Sequence, residues 1–324
     1  MGGGEGRSAI ATTPPLTPPS GGGELRIHPS PSVLEISQHR VREKTLAQSL
    51  SIGTAPFAAV NSREDLLAAT QKIGTPGILK TCTLGYDGKG QWMIRDDGWR
   101  ITDDEKKYPW LSVIRHPSSE YILEGFVNFT LEISVLVARN AQGEVACYEP
   151  VHNIHKNHIL DKTIVPAPIS EATAREAESI AKKIAEGLNL VGLLAVEMFV
   201  VHNETEQGEA RSGGGLGPKG PKARERKPML LVNELAPRPH NSGHWTMDAS
   251  KTSQFEQVLR AVCGLPLGDP ARTHAAVMQN LIGDEVNDAP AWAQKPGAHV
   301  HLYGKKDPRP GRKMGHVNVL TYDQ

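Results

Sequence analysis

The sequence predicts an α+β fold. Its strand-like apolar runs come in clusters, its helical segments do not alternate strictly with single strands, and polar low-complexity stretches set off the globular parts. Residues 1–24 are rich in Gly, Pro, Ser and Thr, with almost nothing to bury, and read as a disordered tail. The "GGGELR" that ends this tail follows no apolar strand, which makes it a linker and not the glycine turn of a nucleotide-binding βαβ unit. From Leu25 the composition is globular, and residues 33–50 read as helix. In "SREDLLAATQKIG" a second helix starts at Ser62 and stops at Gly74.

A strand cluster follows: "GILKT", "QWMIRD", "YILEGFV", "LEISVLVAR" and "EVACYEPV". In the fourth run Ile133, Val135 and Val137 share one face, while Glu132 and Ser134 share the other. Residues 171–186 form an amphipathic helix capped by Ser170 and ended by Gly187. The strand "GLLAVEMFVV" and the strand "MLLVNEL" flank a polar insert, 203–228. The insert's basic cluster around Lys219 and Arg226 suits an acidic partner or, more simply, a solvated loop. Helical signals return at 251–263 and 274–282, and the tail "AHVHLYGKKDPRPGRKMGHVNVL" reads as strands joined by a basic turn.

Composition excludes several functions. Thirty-six basic residues balance thirty-six acidic ones, which argues against a general nucleic-acid or membrane-surface binder. No apolar run reaches the length of a membrane span, and the N-terminus lacks the basic start and apolar core of a secretory signal. Three widely spaced cysteines, Cys82, Cys147 and Cys263, read as reduced thiols of a cytoplasmic protein.

Three stretches carry candidate chemistry. In "NELAPRPHNSGHWT" two prolines stiffen a loop that places Glu234, Arg238, His240 and His244 close together. Glu197 shares a strand face with Ala195 and Phe199, and Glu234 with Leu230 and Val232. Glu197 and Glu234 lie equidistant from the centre of the insert, so a symmetric antiparallel hairpin would oppose them. Opposed carboxylates repel. A divalent cation bridging carboxylates and phosphates would turn that conflict into a site; alternatively one glutamate faces solvent.

In "LGYDGKGQ", glycines 85, 88 and 90 let backbone amides approach a phosphate, with Lys80 and Lys89 supplying charge; a plain hairpin turn is the competing reading. "ILEGFV" offers Glu124 and strand-end backbone to an adenine and ribose, or is simply core strand. The basic tail (His301, Lys305, Arg312, Lys313, His316) suits a phosphate ester or is a solvated turn.

Taken in order from Leu25 to Val319, these segments resemble the N5-carboxyaminoimidazole ribonucleotide synthases, ATP-grasp carboxylases of purine biosynthesis. The resemblance rests on "SQHRVREK", "LGYDGKGQ", "LEGFVNFTLEISV", "HNIHKNHIL", "VNELAPRPHNSGHWT" and "HLYGKKDPRPGRKMGH". It implies an ATP-grasp fold, two α+β subdomains clasping ATP, followed by a small C-terminal β-rich domain. The corresponding ranges are 25–125 for a linker helix and the small subdomain, 126–258 for the large subdomain, and 259–324 for the C-terminal part.

By the same resemblance Arg40, Lys80, Gly85, Tyr86, Asp87, Gly88, Lys89, Gly90, Gln91, Glu124, Gly125, Phe126, Val127, Glu132, His155, Asn233 and Glu234 fall at ATP-contacting positions. Glu197 and Glu234 match magnesium ligands, with Mn²⁺ as an alternative ion. Arg238 and His240, with Asn241 beside them, fall where bicarbonate is handled and would be catalytic. Asp87, Lys89, Lys305, Arg312 and Lys313 fall in segments that meet the aminoimidazole ribonucleotide. The implied reaction passes through carboxyphosphate, and the implied assembly is a homodimer without nucleic-acid or membrane partners.

Four features depart from the family pattern. The doubly wound N-terminal domain is absent from the sequence given, and the family usually continues past the last strand, whereas this chain stops at Gln324. The 203–228 insert is long, and Cys82 and Leu84 stand where arginine and glycine are frequent. The competing functional readings are a catalytically silent ATP-binding fragment and an ATP-grasp ligase with another acceptor.

Overall fold

A computed structural model of the chain describes residues 27–83, 85, 90–95, 120–202 and 227–321. It has two antiparallel sheets with helices packed on their faces, the α+β arrangement that the clustered strands predict. The first sheet is four-stranded, in the order β1-β4-β2-β3, from β1 (Phe57–Val60), β2 (Gly77–Thr81), β3 (Gln91–Ile94) and β4 (Tyr121–Gly125). Helix α3 (Arg63–Ile73) covers one face, burying Leu66 and Ala69 against Val60, Leu79, Tyr121 and Leu123. Its start is fixed by the Ser62 side chain, which accepts from the Asp65 N–H.

The second sheet has nine strands. They are β5 (Leu131–Arg139), β6 (Val145–Cys147), β7 (Val151–Lys156), β8 (Ile159–Val165), β9 (Gly192–Val201), β10 (Met229–Ala236), β11 (Ala275–Ile282), β12 (Ala298–Leu302) and β13 (Lys313–Thr321). Their order is β10-β9-β5-β7-β8-β11-β13-β12, with β6 paired to β5. The last three strands therefore do not form a sheet of their own. Through β8–β11 pairing they extend the large sheet.

Both faces of this sheet are buried. Helix α4 (Glu171–Gly187) lays Ala177, Ala181, Ile184 and Ala185 against Ile133, Val135, Val137, Leu194 and Val196. On the other face Leu136, Ala138, Leu193, Ala195 and Trp245 form a second core. Each large apolar side chain buried this way contributes about 1.5–3 kcal/mol. Along β5 that second face is apolar at 136 and 138 but polar at Glu132 and Ser134, so the end of the strand near residue 132 is set aside for something other than packing.

The structure corrects several sequence expectations. The helix expected at 33–50 is two, α1 (Pro31–Ser37) and α2 (Arg40–Ser49), because His39 is extended at φ −127° and ψ 108°. Residues 274–282, read as helix, are strand β11, paired on both sides by β8 and β13. Tertiary pairing overrides the local helical signal there. The helix expected at 251–263 spans 254–262 (α5), capped by Ser253. Gly187 does not stop α4 but belongs to it; a Cβ there would lie 2.8 Å from Leu50 Cδ1, so glycine permits the close approach of α2's end. Strands β1, β7 and β8 carry no clear alternation and go unread in the sequence.

Helix α2 joins the sheets through buried charge. Lys44, 1% exposed, lies 3.5 Å from Glu124 Oε1 and donates to the Asn233 carbonyl at 3.3 Å. Lys80 donates to Glu124 Oε2 at 2.9 Å, and Glu43 Oε2 accepts from the Leu235 N–H at 3.2 Å. Burial works to raise the Glu124 pKa, but Lys44 and Lys80 outweigh it and hold it below its ordinary value. Burial pushes Glu43 the other way, to about 8.

Replacing Glu124 by Gln leaves Lys44 as an uncompensated buried charge and should cost about 3–5 kcal/mol in urea unfolding at pH 7. Because the folded pKa of Glu124 is depressed, its contribution is complete above the unfolded value of about 4.3 and is lost as pH falls through the folded one. The gap between native protein and variant should therefore shrink below about pH 4. A gap under about 1 kcal/mol at pH 7 would mean that the pair does not join the sheets.

Candidate functional site

Between the sheets lies a cleft of about 690 Å³, the size of a small-molecule site. It is lined by Arg40, Lys80, Gln91, Glu132, His155, Glu197, Asn233, Glu234, Arg238, His240, Asn241 and Lys313, together with Phe129, Asn157, His158 and Leu160. Twelve of these residues are among those singled out in the sequence, drawn from eight separate segments.

The two glutamates are opposed, as symmetry about the insert predicts: Glu234 pairs with Glu197 across β10 and β9. The route to that pairing differs from the simple hairpin. From Met229 to Val232 the register runs one residue out of step, Val232 pairing with Met198, and a bulge at Asn233 corrects it. The bulge also reverses which face follows. Glu234 does not share a face with Leu230 and Val232, which lie in the core under α4; it turns onto the face of Glu197. Without the extra residue Glu197 would meet Asn233, and Glu234 would point into that core.

Burial, the Glu234 charge and Glu132 together raise the Glu197 pKa well above the ordinary carboxylate range, against the pull of Lys313 and Arg40. Arg40 Nη1 stands 3.5 Å from Glu234 Oε2. Such a pair of carboxylates is electrostatically incomplete. No group of three or more His, Cys, Asp or Glu side chains converges as a metal cage among the described residues. Two carboxylates at the edge of an open cleft nevertheless fit Mg²⁺, which takes its remaining ligands from phosphates and water.

The proline-stiffened loop after β10 is held from below. Gln254, fully buried at the start of α5, accepts from the His240 N–H at 2.8 Å and donates to the His240 carbonyl at 2.9 Å. Asn241 exchanges two amide hydrogen bonds with Asn280 on β11, at 2.9 and 2.7 Å. Gly243 permits the tight turn, since a Cβ there would lie 2.3 Å from Leu136 Cδ1. His240 Nε2 then lies 3.5 Å from Glu197 Oε1, and burial, with Arg238 and Lys313 nearby, pushes its pKa down to about 3. Arg238 is exposed at the mouth of the cleft.

Other expected residues are placed differently. Glu132 binds His155 at 3.2 Å inside the cleft. Glu124 is 3% exposed and turns inward to Lys80 and Lys44, with Gly125, exposed Phe126 and half-buried Val127 following it at the strand end. Gly85, across from Arg40, borders an adjoining pocket of about 330 Å³, while Gly90 closes the β2–β3 turn by accepting from the Thr81 N–H. Tyr86, Asp87, Gly88 and Lys89 lie outside the described residues.

Of the tail residues Lys313 reaches the cleft, and Lys305 and Arg312 do not line it. Lys305 donates to the Lys313 carbonyl and Arg312 to the Asp307 carbonyl. His316 is buried, with ring centroids 4.7 Å from His244 and 4.6 Å from His301, and His301 binds Asp248 at 2.8 Å. These histidines seat the C-terminal strands on the loop and do not face a phosphate site.

The sequence reading missed Phe129, Asn157, His158 and Leu160 in the lining, and the buried Glu43 and Lys44 behind it. A signal existed for the turn: Asn157 and His158 both have positive φ, 52° and 64°, joining β7 to β8 as a two-residue hairpin turn. Histidine in place of the usual glycine at the second position hides it.

The family description "ATP-grasp domain" matches residues 45–255, and "Phosphoribosylaminoimidazole carboxylase C-terminal domain" matches residues 276–324. The chain is 44% identical to a bifunctional purine synthesis protein, purC/E, of Dictyostelium discoideum over 91% of its length, spanning 28% of that larger protein. It is 43% identical to an N5-carboxyaminoimidazole ribonucleotide synthase of Brucella melitensis, covering 90% of this chain and 72% of that one. The Staphylococcus aureus N5-carboxyaminoimidazole synthetase complexed with ADP superposes with a TM-score of 0.73 at 32% identity, over 90% of this chain and 69% of that one. With both family descriptions met and the opposed glutamates in place, the chain belongs to the N5-carboxyaminoimidazole ribonucleotide synthase family of ATP-grasp proteins.

Proposed function

We propose that this protein carboxylates 5-aminoimidazole ribonucleotide, consuming ATP and bicarbonate, in purine biosynthesis. The observation that carries the reading is the opposition of Glu197 and Glu234 at the edge of a cleft that also holds Lys80, Arg238, His240 and Lys313. Four cations, Arg40, Lys80, Arg238 and Lys313, face three carboxylates there, Glu132, Glu197 and Glu234, as a reaction that gathers phosphate and carboxylate oxygens requires.

A bicarbonate oxygen attacks the γ-phosphorus, the bond to ADP breaks, and carboxyphosphate forms. The exocyclic amine of the ribonucleotide then attacks the carboxyl carbon, inorganic phosphate leaves with its bonding pair, and the amine nitrogen loses a proton. Glu197 and Glu234 would hold Mg²⁺, which supplies charge neutralisation of the phosphate oxygens when bound. Lys80, fixed by Glu124, supplies a point charge to the phosphates. Arg238 presents a planar fork to two bicarbonate oxygens, and His240 orients the anion or moves its proton. Bicarbonate is a weak nucleophile, so most of the rate must come from position and electrostatics.

The three cysteines are free, which suits a reducing compartment, and we place the enzyme in the cytoplasm.

Two measurements test the site. Glu197→Gln and Glu234→Gln should each lower magnesium-dependent ADP release roughly a hundredfold or more while leaving circular dichroism unchanged. Unaltered ADP release in both variants sinks the metal assignment.

Arg238→Lys keeps the charge and loses the fork. ATP affinity should stay within about twofold, whereas ribonucleotide-dependent turnover falls on the order of a hundredfold. If turnover never depends on the ribonucleotide, in native protein or variant, the acceptor is another compound and the carboxylase reading fails.

A further inference from the structure

Behind the cleft, on the face of the large sheet that carries Glu197, four small polar side chains run in a line to His240. Thr163 on β8 donates to Asn153 Oδ1 at 3.1 Å, and Asn153 Nδ2 on β7 donates to Ser134 Oγ at 3.0 Å. Ser134 on β5 donates to Ser242 Oγ at 2.7 Å, and Ser242 Oγ lies 2.8 Å from His240 Nδ1. The register sets the row: Thr163 opposes Asn153, Asn153 opposes Glu132 two residues from Ser134, and Ser134 opposes Glu197. All four are between 0% and 3% exposed, so water does not substitute for a missing partner.

One end of the row has a fixed direction. The Ser242 backbone N–H also points at His240 Nδ1, at 3.3 Å, and an amide N–H can only donate. Nδ1 therefore carries a lone pair and no proton. Ser242 Oγ, hydrogen-bonded to the same nitrogen, must donate to it, and so must accept from Ser134. Ser134 in turn must accept from Asn153, whose atom there is the amide nitrogen, leaving its oxygen for Thr163. Polarity is thus handed along the whole row from a single backbone donor.

We propose that Thr163, Asn153, Ser134 and Ser242 form a one-way hydrogen-bond chain that, with the Ser242 backbone N–H, holds His240 as the tautomer protonated on Nε2, a hydrogen-bond donor into the cleft beside Glu197 Oε1 and not a base at that nitrogen. The four are positioning residues: they act through His240. The proposal rests on the reading of the cleft as a carboxylase site for what it implies about turnover, because an N–H aimed into the cleft can hold an oxygen of bicarbonate or carboxyphosphate but cannot take a proton there. The orientation of the ring itself stands on geometry alone. A wrongly held tautomer is a known way to lose catalysis while keeping a histidine in place.

The test is nitrogen NMR of full-length protein labelled with ¹⁵N-histidine at pH 7, without nucleotide, with His240 assigned by the signals lost in His240→Gln. A pyrrole-type Nε2 and a pyridine-type Nδ1 are expected; the reverse pattern, or two imidazolium-type signals, overturns the proposal. Asn153→Asp is nearly isosteric but when ionised has no donor, so Ser134 would turn to it and Ser242 Oγ to Ser134; the Oγ lone pair then faces Nδ1 in competition with the Ser242 N–H, and the fraction protonated on Nδ1 should rise. Its kcat for ribonucleotide carboxylation should fall about 10- to 100-fold, with the KM for ATP within about twofold. Asn153→Ala interrupts the chain without reversing it, the Ser242 N–H remains, and the native tautomer should persist.

A purely structural role leaves the ring proton on Nε2 in both variants, whatever each costs in stability, and that result overturns the chain. If the aspartate variant does not fold, the native spectrum and the alanine variant still decide. Because the tautomer is read without substrate, a protein that never carboxylates the ribonucleotide sinks the functional reading and leaves the tautomer result to stand by itself.

Discussion

Two carboxylates that repel each other are held face to face across β9 and β10, and most of the site follows from that constraint. Sheets avoid opposed like charges, and a β-bulge costs a ladder hydrogen bond. Here the bulge at Asn233 brings Glu234 out of the core face and onto the face of Glu197. The same arrangement raises the Glu197 pKa, which marks the pair as electrostatically unfinished. A packed core would not tolerate it; an open, charged cleft does.

Holding a bulge in register requires support on its other side, and α2 supplies it. Lys44 binds the Asn233 carbonyl, and Glu43 binds the Leu235 N–H, so the helix grips the residues immediately before and after Glu234. The same lysine meets Glu124, which holds Lys80 in the small sheet. One buried cluster therefore ties the carboxylate edge of the large sheet to the cation of the small one. Its energetic cost, two charged residues with almost no exposure, is reasonable only where relative position matters more than stability.

The C-terminal strands add a third boundary. They extend the large sheet through β8 and β11, and the stacked rings of His244, His316 and His301 seat them against the loop that follows Glu234. That seating brings Lys313 to the cleft beside His240, while Lys305 and Arg312 bond to backbone carbonyls of their own turn. Of the basic residues in that turn, the one at the start of a strand is positioned by the sheet. The others are positioned by the turn.

The sequence by itself determined the α+β class, the capped helices at Ser62 and Ser170, the strand alternation of residues 131–139, and the family through motifs such as "NELAPRPHNSGHWT". These are local signals: caps, periods and short strings act over a few residues, and a chain reports them directly. The opposition of Glu197 and Glu234 was legible too, but only through the symmetry of the insert. Which face Glu234 takes was not, because alternation assigns it to the core and one extra residue in the pairing reverses it. Tertiary structure alone decided that residues 274–282 are strand, that Glu124 serves Lys80 and Lys44, and that Ser134, Asn153 and Thr163 line up behind His240. Each of those depends on which strands become neighbours. Pairing partners come from distant parts of the chain, and no window along the sequence contains them both.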